Sequence, residues 1–297
     1  MNRPRGTSTG NRAFWWMVAI SALLRALLVY GICCLALAIV DAVRSAGPAA
    51  LWSNDPNLLP GLLLLALAAV GVTGAAWSLA KSAWHSAAVA HHIRHHRIPA
   101  PPRLAAWREI LAGRLVTLDA PAPYALTYGA LRPRVLVTTG LLRTLSDAEV
   151  AAVLAHEHEH LRSRDPLKNV LARAILARHF YLPALTRLRD RFTSGRELSA
   201  DRAAMAAYGV APLAGALLKV TEAPTWAAAS PSAAMSTQAV LEARVTQLET
   251  GTEPRSAPAG RREVLPTLIA VLLLGSAIIW SAVIVAHYMP QCLPGLR

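Results

Sequence analysis

Cysteine is scarce in this 297-residue chain, which contains three. Three cysteines are too few for the disulfide framework that holds small secreted proteins together. Cys33 and Cys34 lie in an apolar run, where they are expected to be buried, and Cys292 stands alone near the other end. None has the spacing of a cysteine metal site, so any zinc ion must be bound by nitrogen and oxygen ligands.

Acidic residues are the second shortage: 17 Asp and Glu stand against 30 Lys and Arg, for a net charge of +13. A basic chain is often a nucleic-acid binder, but three long apolar runs suggest a different explanation. Each has no acidic residue and, as a helix, can cross a hydrocarbon core of about 30 Å. They are residues 14–40, where Arg25 is the one charge, 58–79 and 264–286. The first is far longer than the apolar part of a signal peptide and is predicted to be an uncleaved span.

Basic residues flank these runs unevenly. They precede the first run and follow the second, whereas the connection between the two carries no net positive charge. By the positive-inside rule, the N-terminus and the segment after the second run are expected to lie in the cytoplasm. Direct nucleic-acid binding is therefore not expected, and the basic surface is available to anionic lipid of the bilayer.

The runs divide the chain into five predicted parts. These are a basic cytoplasmic tail, a two-helix transmembrane hairpin, a cytoplasmic domain, a third transmembrane helix and a short external tail. They cover residues 1–12, 13–81, 82–262, 263–286 and 287–297.

A small β-sheet and a capped helix are predicted within the cytoplasmic domain. The β-branched stretch 134–139 predicts a strand, and residues 124–128 are its predicted partner across a turn at Gly129. Ser146 followed three residues later by Glu149 is typical of a helix start.

Three further stretches complete the outline of this domain. Residues 167–185 are apolar with interspersed basic residues, which predicts an amphipathic helix on the membrane or on the domain rather than a span. Residues 223–236 are rich in Ala, Ser and Pro and are predicted to form a mobile loop. Residues 241–248 return to helical periodicity.

The segment 156–160, His-Glu-His-Glu-His, contains the pattern H-E-x-x-H. On a helix, His156 and His160 face the same side, so both can bind one metal ion. Glu157 lies beside the first ligand, where its carboxylate can take a proton from a water that the metal activates. The apolar residues that precede the motif provide the helix that this chemistry needs.

A catalytic zinc ion needs a third protein ligand. Glu197 and Asp201 lie four residues apart on a predicted helix. This spacing makes Glu197 the candidate third ligand and lets Asp201 accept the outer N–H of a ligand histidine, which we predict to be His156. The alternative is that the histidines are surface residues and the acidic pair is an exposed face beside Arg196 and Arg202.

Peptide hydrolysis also needs a group that stabilises the oxyanion of the tetrahedral intermediate. Tyr208 lies two turns beyond Asp201, and Arg202 adjoins it, so either is a candidate, with a structural role as the alternative. Four histidines cluster within six residues further along from the second apolar run: His91, His92, His95 and His96. They fit a second metal site or a pH-responsive patch, but a solvated helix is the favoured interpretation.

The motifs between residues 123 and 209 resemble the catalytic domain of the BlaR/MecR-type antirepressor peptidases, integral-membrane gluzincins of the beta-lactam sensor family. The matching segments are residues 129–135, 139–142, 154–165 and 196–203. The HtpX/CAAX-endopeptidase type shares the two zinc motifs.

This resemblance implies a fold and a set of site residues. The fold would be a mainly α integral membrane protein with about three transmembrane helices and a gluzincin-like α+β peptidase domain that contains a small β-sheet. One Zn²⁺ per chain would be bound by His156, His160 and Glu197, with Glu157 as the catalytic base. The strand near Val135 would be an edge that pairs with an extended substrate.

The chain also departs from the beta-lactam sensors. Only residues 287–297 follow the third run, which is too short for an external antibiotic-binding domain. Direct beta-lactam sensing is therefore not expected. Well-known members of the family cleave a cytoplasmic DNA-binding repressor, and the resemblance suggests a similar protein substrate here.

The leading hypothesis is a zinc metalloendopeptidase that acts at the cytoplasmic face, either in signal transduction or, as an alternative, in membrane-protein quality control of the HtpX type. A non-proteolytic membrane sensor or scaffold is the hypothesis from a different class. A transporter is disfavoured because the spans contain no acidic residue. Arg25 inside the first run has three interpretations: its side chain snorkels to the membrane surface, it faces another helix, or the true span is residues 26–43. A homo-oligomer is a separate hypothesis about the form of the protein.

Overall fold

The computed structural model describes residues 9–49, 58–221, 231–254 and 261–292. Helices dominate these residues, and a four-stranded sheet accompanies them. The helices are α1 (Thr9–Ala46), α2 (Leu59–His96), α3 (Ala105–Ile110), α4 (Thr139–Thr144), α5 (Asp147–Arg162), α6 (Asp165–Arg178), α7 (Pro183–Tyr208), α8 (Val210–Thr221), α9 (Pro231–Thr250) and α10 (Arg261–Cys292). The strands are β1 (Arg97–Ile98), β2 (Leu115–Leu118), β3 (Ala125–Tyr128) and β4 (Arg134–Thr138).

Three helices are long and apolar enough to cross a membrane, as the sequence predicts. The candidate spans are Thr9–Ser45, Leu59–His96 and Val264–Ala286. A helix satisfies every backbone N–H and C=O within itself, which is why an apolar run adopts this form in lipid. The second helix continues well past its apolar run, so the four histidines near its end belong to the same helix as the span.

The sheet has the order β1-β2-β4-β3. The predicted pairing of residues 124–128 with the strand after Gly129 is confirmed, because β3 and β4 are antiparallel with Tyr128 opposite Arg134. The turn between them needs glycine: Gly129 has φ +87°, and a Cβ there would lie 2.7 Å from the carbonyl oxygen of Arg132.

The expectation that the strand near Val135 is an edge is wrong. This strand, β4, lies between β2, with which it is parallel, and β3. Three successive buried residues, Val135, Leu136 and Val137, explain the central position, since both faces of the strand are covered. The edge strand next to it is β3, at the end of the sheet order.

Helix α5 packs against this sheet and so places the H-E-x-x-H motif. Val150 and Leu154 of α5 join Val135 and Val137 of β4 and Leu141 of α4 in one buried apolar cluster. Ser146 caps the helix in a capping box with Glu149, as the sequence predicts.

Two other expectations need correction. Residues 167–185 do not form one helix, because α6 ends at Arg178 and α7 begins at Pro183. Proline disfavours a helical conformation of the residue before it but suits a first helical position. Residues 222–230 lie outside the described residues, and from Pro231 onward the predicted loop is instead helical as part of α9. The helix predicted over residues 241–248 is confirmed there.

The described residues form two compact units. One contains the start of α1 up to Phe14 together with Leu79–Ala172 and most of Leu188–Ala257, and it holds the sheet and the motifs. The other contains most of the apolar length of α1, α2 and α10 together with Arg173–Arg187. The five-part division of the chain stays a prediction.

Candidate metal centre and active site

The two histidines of the H-E-x-x-H motif lie on one face of α5 and are buried. Their Nε2 atoms are 3.0 Å apart. The rings meet nearly at right angles, with centroids separated by 4.7 Å. Both imidazoles therefore direct their Nε2 atom at the same small volume.

Glu197 of α7 completes this cluster. Its Oε2 atom lies 3.5 Å from Nε2 of His156 and 3.7 Å from Nε2 of His160. Three atoms with these separations can all lie about 2 Å from a single point, which is the length of Zn–N and Zn–O bonds. His156, His160 and Glu197 can therefore hold a divalent metal ion.

The outer nitrogen of His156 faces a buried acid. Its Nδ1 atom lies 2.8 Å from Oδ1 of Asp201, an ion-pair distance, although the ring is not aligned for a linear hydrogen bond. The Arg244 guanidinium in turn donates two hydrogen bonds to Asp201, at 2.7 and 2.8 Å. This two-point contact connects α9 to the histidine through a fully buried carboxylate.

His160 has an equivalent partner that sequence reasoning missed. Its Nδ1 atom lies 2.7 Å from Oδ2 of Asp165, a buried residue at the start of α6. The chain turns between α5 and α6 at Arg164, whose φ is +53°. This tight turn brings Asp165 back to a histidine five residues earlier. An acidic residue directly after the motif helix was the available signal.

The charges of the centre favour a bound cation. Burial lowers the pKa of His160, but Asp165 and Glu197 outweigh burial and raise it to about 10. Burial also opposes protonation of His156, yet Asp201 and Glu197 raise its pKa. Conversely, the two histidines outweigh burial and hold the pKa of Glu197 well below its ordinary value. A divalent metal ion can supply the positive charge that these groups otherwise obtain from protons.

Glu157 lies next to the first histidine and is buried. The Thr127 hydroxyl lies 2.7 Å from its Oε2 atom and 2.9 Å from its backbone oxygen, and it can donate to either. Thr127 belongs to the edge strand β3, so the sheet edge and the carboxylate are in direct contact. A threonine within a strand gives no sequence signal for such a contact, and it was missed.

The two candidate oxyanion stabilisers make other contacts. Arg202 pairs with Glu253, and the Tyr208 ring lies 6.2 Å from that of Trp107. Neither contact involves the three candidate ligands. Arg196, the residue before Glu197, does contact the cluster, because its Nη2 donates to Oε1 of Glu197 at 2.9 Å.

The other histidines and acids singled out in the sequence lie on the surface or near it. Glu159 accepts hydrogen bonds from Arg162 and Ser163. His158 is half-buried. The histidines at the end of α2 are all exposed, and their rings are in contact in two pairs: His91 is tilted against His95, and His92 stacks on His96.

Comparisons with known proteins agree with this geometry. Residues 61–248 match the family model described as BlaR1 peptidase M56. Three curated relatives share the name "Protease HtpX homolog". The chain is 32% identical over 109 residues to the relative from Paraburkholderia phytofirmans, which covers 36% of this chain and 37% of the relative. It is 36% identical over 110 residues to the relative from Acidiphilium cryptum, which covers 35% of this chain and 38% of the relative. It is 30% identical over 138 residues to the relative from Acaryochloris marina, which covers 46% of this chain and 47% of the relative. The chain thus spans less than half the length of each of these relatives.

Proposed function

The chain belongs to the BlaR1 peptidase M56 family, because more than half of it matches the family model, and we propose that it is a zinc-dependent endopeptidase of the membrane. The observation that carries this proposal is the convergence of His156, His160 and Glu197 near the buried Glu157, whose charge acts on His160. The similarity to proteins named protease HtpX homologues supports proteolysis as the activity.

The donor set supports zinc as the metal. Two imidazole nitrogens and one carboxylate oxygen form a known catalytic zinc site, which keeps a position open for water. A structural zinc site is usually closed by four protein ligands, often cysteines. A cluster of three donors beside a buried glutamate fits the catalytic class better, which argues against the scaffold hypothesis.

The residues around the centre have distinct roles in this proposal. A bound Zn²⁺ supplies a Lewis acid, which makes a water more acidic and polarises a peptide carbonyl. Glu157 accepts the proton of the attacking water and delivers it to the leaving amine. Thr127 orients the Glu157 carboxylate for this transfer, and Asp201 and Asp165 fix the two imidazoles with Nε2 toward the metal.

The substrate is proposed to bind as an extended segment along β3. This strand ends the sheet order, and its Thr127 touches Glu157. A peptide added at this edge would gain backbone hydrogen bonds and lie beside the base. The compact unit that holds the sheet and the motifs is the catalytic unit of this proposal. The proposed substrate is a protein at the cytoplasmic face, since the distribution of basic residues favours a cytoplasmic position for this unit.

Two biological roles remain as proposals within this activity. Membership of the BlaR1 family supports regulated cleavage of a cytoplasmic DNA-binding repressor. The similarity to HtpX homologues supports quality control of membrane proteins. The two roles differ in how many proteins are cut.

The test compares cells that express the wild type, Glu157→Gln and Glu159→Gln. Glu159 is the matched control, because it is two residues away but binds Arg162 and Ser163. New protein N-termini are identified by mass spectrometry, and zinc is measured in each purified protein. We expect cleavage to be lost in Glu157→Gln alone, with zinc retained in all three.

The pattern of cuts assigns the role. Cuts confined to one DNA-binding protein indicate signalling, and cuts in many membrane proteins indicate quality control. Equal sets of N-termini in the wild type and Glu157→Gln contradict the peptidase proposal.

A further inference from the structure

A cavity of about 440 Å³ opens beside the candidate metal ligand Glu197. Three helices line it. Arg189, Thr193 and Glu197 come from α7, Leu217 from α8, and Val240 and Leu241 from α9. The volume is within the range of small-molecule and peptide-side-chain pockets, roughly 300–1,000 Å³. Of the residues that belong to or support the candidate metal centre, only Glu197 and Arg244 line the cavity.

The polar wall of this cavity follows one face of α7. Arg189, Thr193 and Glu197 are spaced by four residues and so lie above one another on the helix. Eight residues of helix measure about 12 Å at 1.5 Å per residue. An extended peptide advances about 3.3 Å per residue, so the far end of the wall lies about three or four residues from a bond cleaved at the metal.

The cavity therefore has a metal-binding end and a cationic end. Arg244, also in the wall, is already held by Asp201, and Glu197 belongs to the metal cluster. Asp190 lines the cavity too, but it is exposed, whereas Arg189 is half-buried. No ion-pair partner of Arg189 lies among the residues that the structure describes. A guanidinium in this setting is suited to bind a carboxylate.

We propose that this cavity is a substrate subsite and that Arg189 selects a carboxylate in the substrate, about three or four residues from the scissile bond. The inference rests on the proposed peptidase function and adds a specificity to it. Apolar neighbours of the recognised group pack against Leu217, Val240 and Leu241. The carboxylate belongs either to an Asp or Glu side chain or to the free C-terminus of the substrate.

Binding to an inactive protein tests this specificity separately from catalysis. The full-length Glu157→Gln variant is purified in detergent with Zn²⁺. Fluorescent ten-residue peptides of Ala, Val and Leu with one central Glu, Gln or Lys are titrated into it, each with an amidated and with a free C-terminus. We expect the Glu peptide to bind about fivefold to tenfold more tightly than the Gln peptide, from one charge-assisted contact in a partly solvated site.

Reversing the charge of the residue identifies it as the selector. Adding Arg189→Glu to the inactive protein is expected to reverse the order, so that the Lys peptide binds most tightly. Arg191→Glu is the matched control, because Arg191 is an exposed arginine of the same helix that does not line the cavity. It is expected to leave the preference for Glu unchanged.

Each outcome has one meaning. A preference for Glu in amidated peptides assigns the carboxylate to a side chain, and a preference that appears only with a free end assigns it to the C-terminus. A preference that Arg189→Glu leaves intact, or the absence of binding by every peptide, overturns the inference. If the peptidase proposal itself is wrong, the result differs: the wild type binds these peptides without cutting them.

Discussion

Each histidine of the candidate metal centre has a carboxylate beside its Nδ1 atom, and the two carboxylates come from different helices. Asp201 on α7 faces His156, and Asp165 on α6 faces His160. When Nδ1–H is bound to a carboxylate, the imidazole is fixed in the tautomer that presents Nε2 to a metal. We therefore expect metal binding at the candidate centre to depend on residues that are not themselves candidate ligands.

The Asp165→Asn substitution tests this dependence at a residue that the sequence analysis did not assign. The amide no longer stabilises the required tautomer as a charged acceptor does, so we expect zinc affinity to fall about 10–100-fold. Affinity is measured on the purified full chain by competition with a zinc chelator. Glu249→Gln, the same chemical change at an exposed position of α9, is the control. Equal affinities in the two variants would exclude an orienting role for Asp165.

At the scale of single residues, the sequence predicts a contact when the two residues are close together along the chain. His156 and His160 share a helical face because of their spacing alone, and the same spacing linked Glu197 with Asp201. Arg244 reaches Asp201 across 43 residues of sequence. Its position follows from how α9 packs, and no pattern within α9 indicates that contact.

At the scale of elements, α5 is fixed at its first turn by a contact with α8. Ser146 and Glu149 form the capping box, and Lys219 lies 2.8 Å from the Glu149 carboxylate. Gly215 leaves room for this carboxylate, because a Cβ there would lie 2.6 Å from its Oε1 atom. The anchored first turn sets where His156 lies, about two turns beyond Glu149 along the helix.

The Glu149 carboxylate makes this anchor sensitive to pH. The hydrogen bond from Lys219, with help from Ser146, outweighs burial and lowers the pKa of Glu149. A carboxyl group whose pKa is lower in the folded state stabilises the fold above its ordinary pKa, and this contribution is lost as the pH falls through the folded-state value. We expect Glu149→Ala to cost about 1 kcal/mol near neutral pH, the typical worth of a helix cap.

Thermal unfolding in detergent between pH 7 and pH 3 checks this prediction. The difference in midpoint between the wild type and Glu149→Ala should narrow below the ordinary range of carboxyl pKa values. Lys219→Met keeps the capping box, so it should show a smaller loss at neutral pH. A difference that stays constant over the whole range would show that the charge of Glu149 does not contribute.

The elements themselves were predictable where their signals are local. The capping box before α5 and the hairpin at Gly129 follow from a few adjacent residues. The position of β4 within the sheet does not, because strand order depends on the parallel pairing of β4 with β2, which is distant along the chain. The break between α6 and α7 had a local signal in Pro183, and the apolar periodicity on either side of it obscured that signal.

At the scale of the whole molecule, charge and apolar length together determine how the chain enters a membrane. Three candidate spans are present among the described residues. In the sequence, most residues of the catalytic unit fall between the second span and the third. An odd number of crossings places the two ends of a chain on opposite sides. The sequence predicted the spans well, because helix length and hydropathy are local properties, whereas the side on which each loop lies depends on insertion into the membrane.

The native cysteines allow the orientation to be tested on the full chain. With Cys33 and Cys34 replaced by Ser, Cys292 is a single reporter beyond the third span. Arg191→Cys, in a chain with all three native cysteines replaced, reports on the catalytic unit.

Because basic residues flank the first two spans on the side of the N-terminus and the catalytic unit, translocation of that side across the membrane would be disfavoured. We therefore expect a membrane-impermeant maleimide to label Cys292 in intact bacterial cells and to label the Arg191→Cys protein only after permeabilisation. The reverse pattern would place the catalytic unit outside the cell and exclude a cytoplasmic repressor as its substrate, while labelling of both in intact cells would contradict the three-span topology.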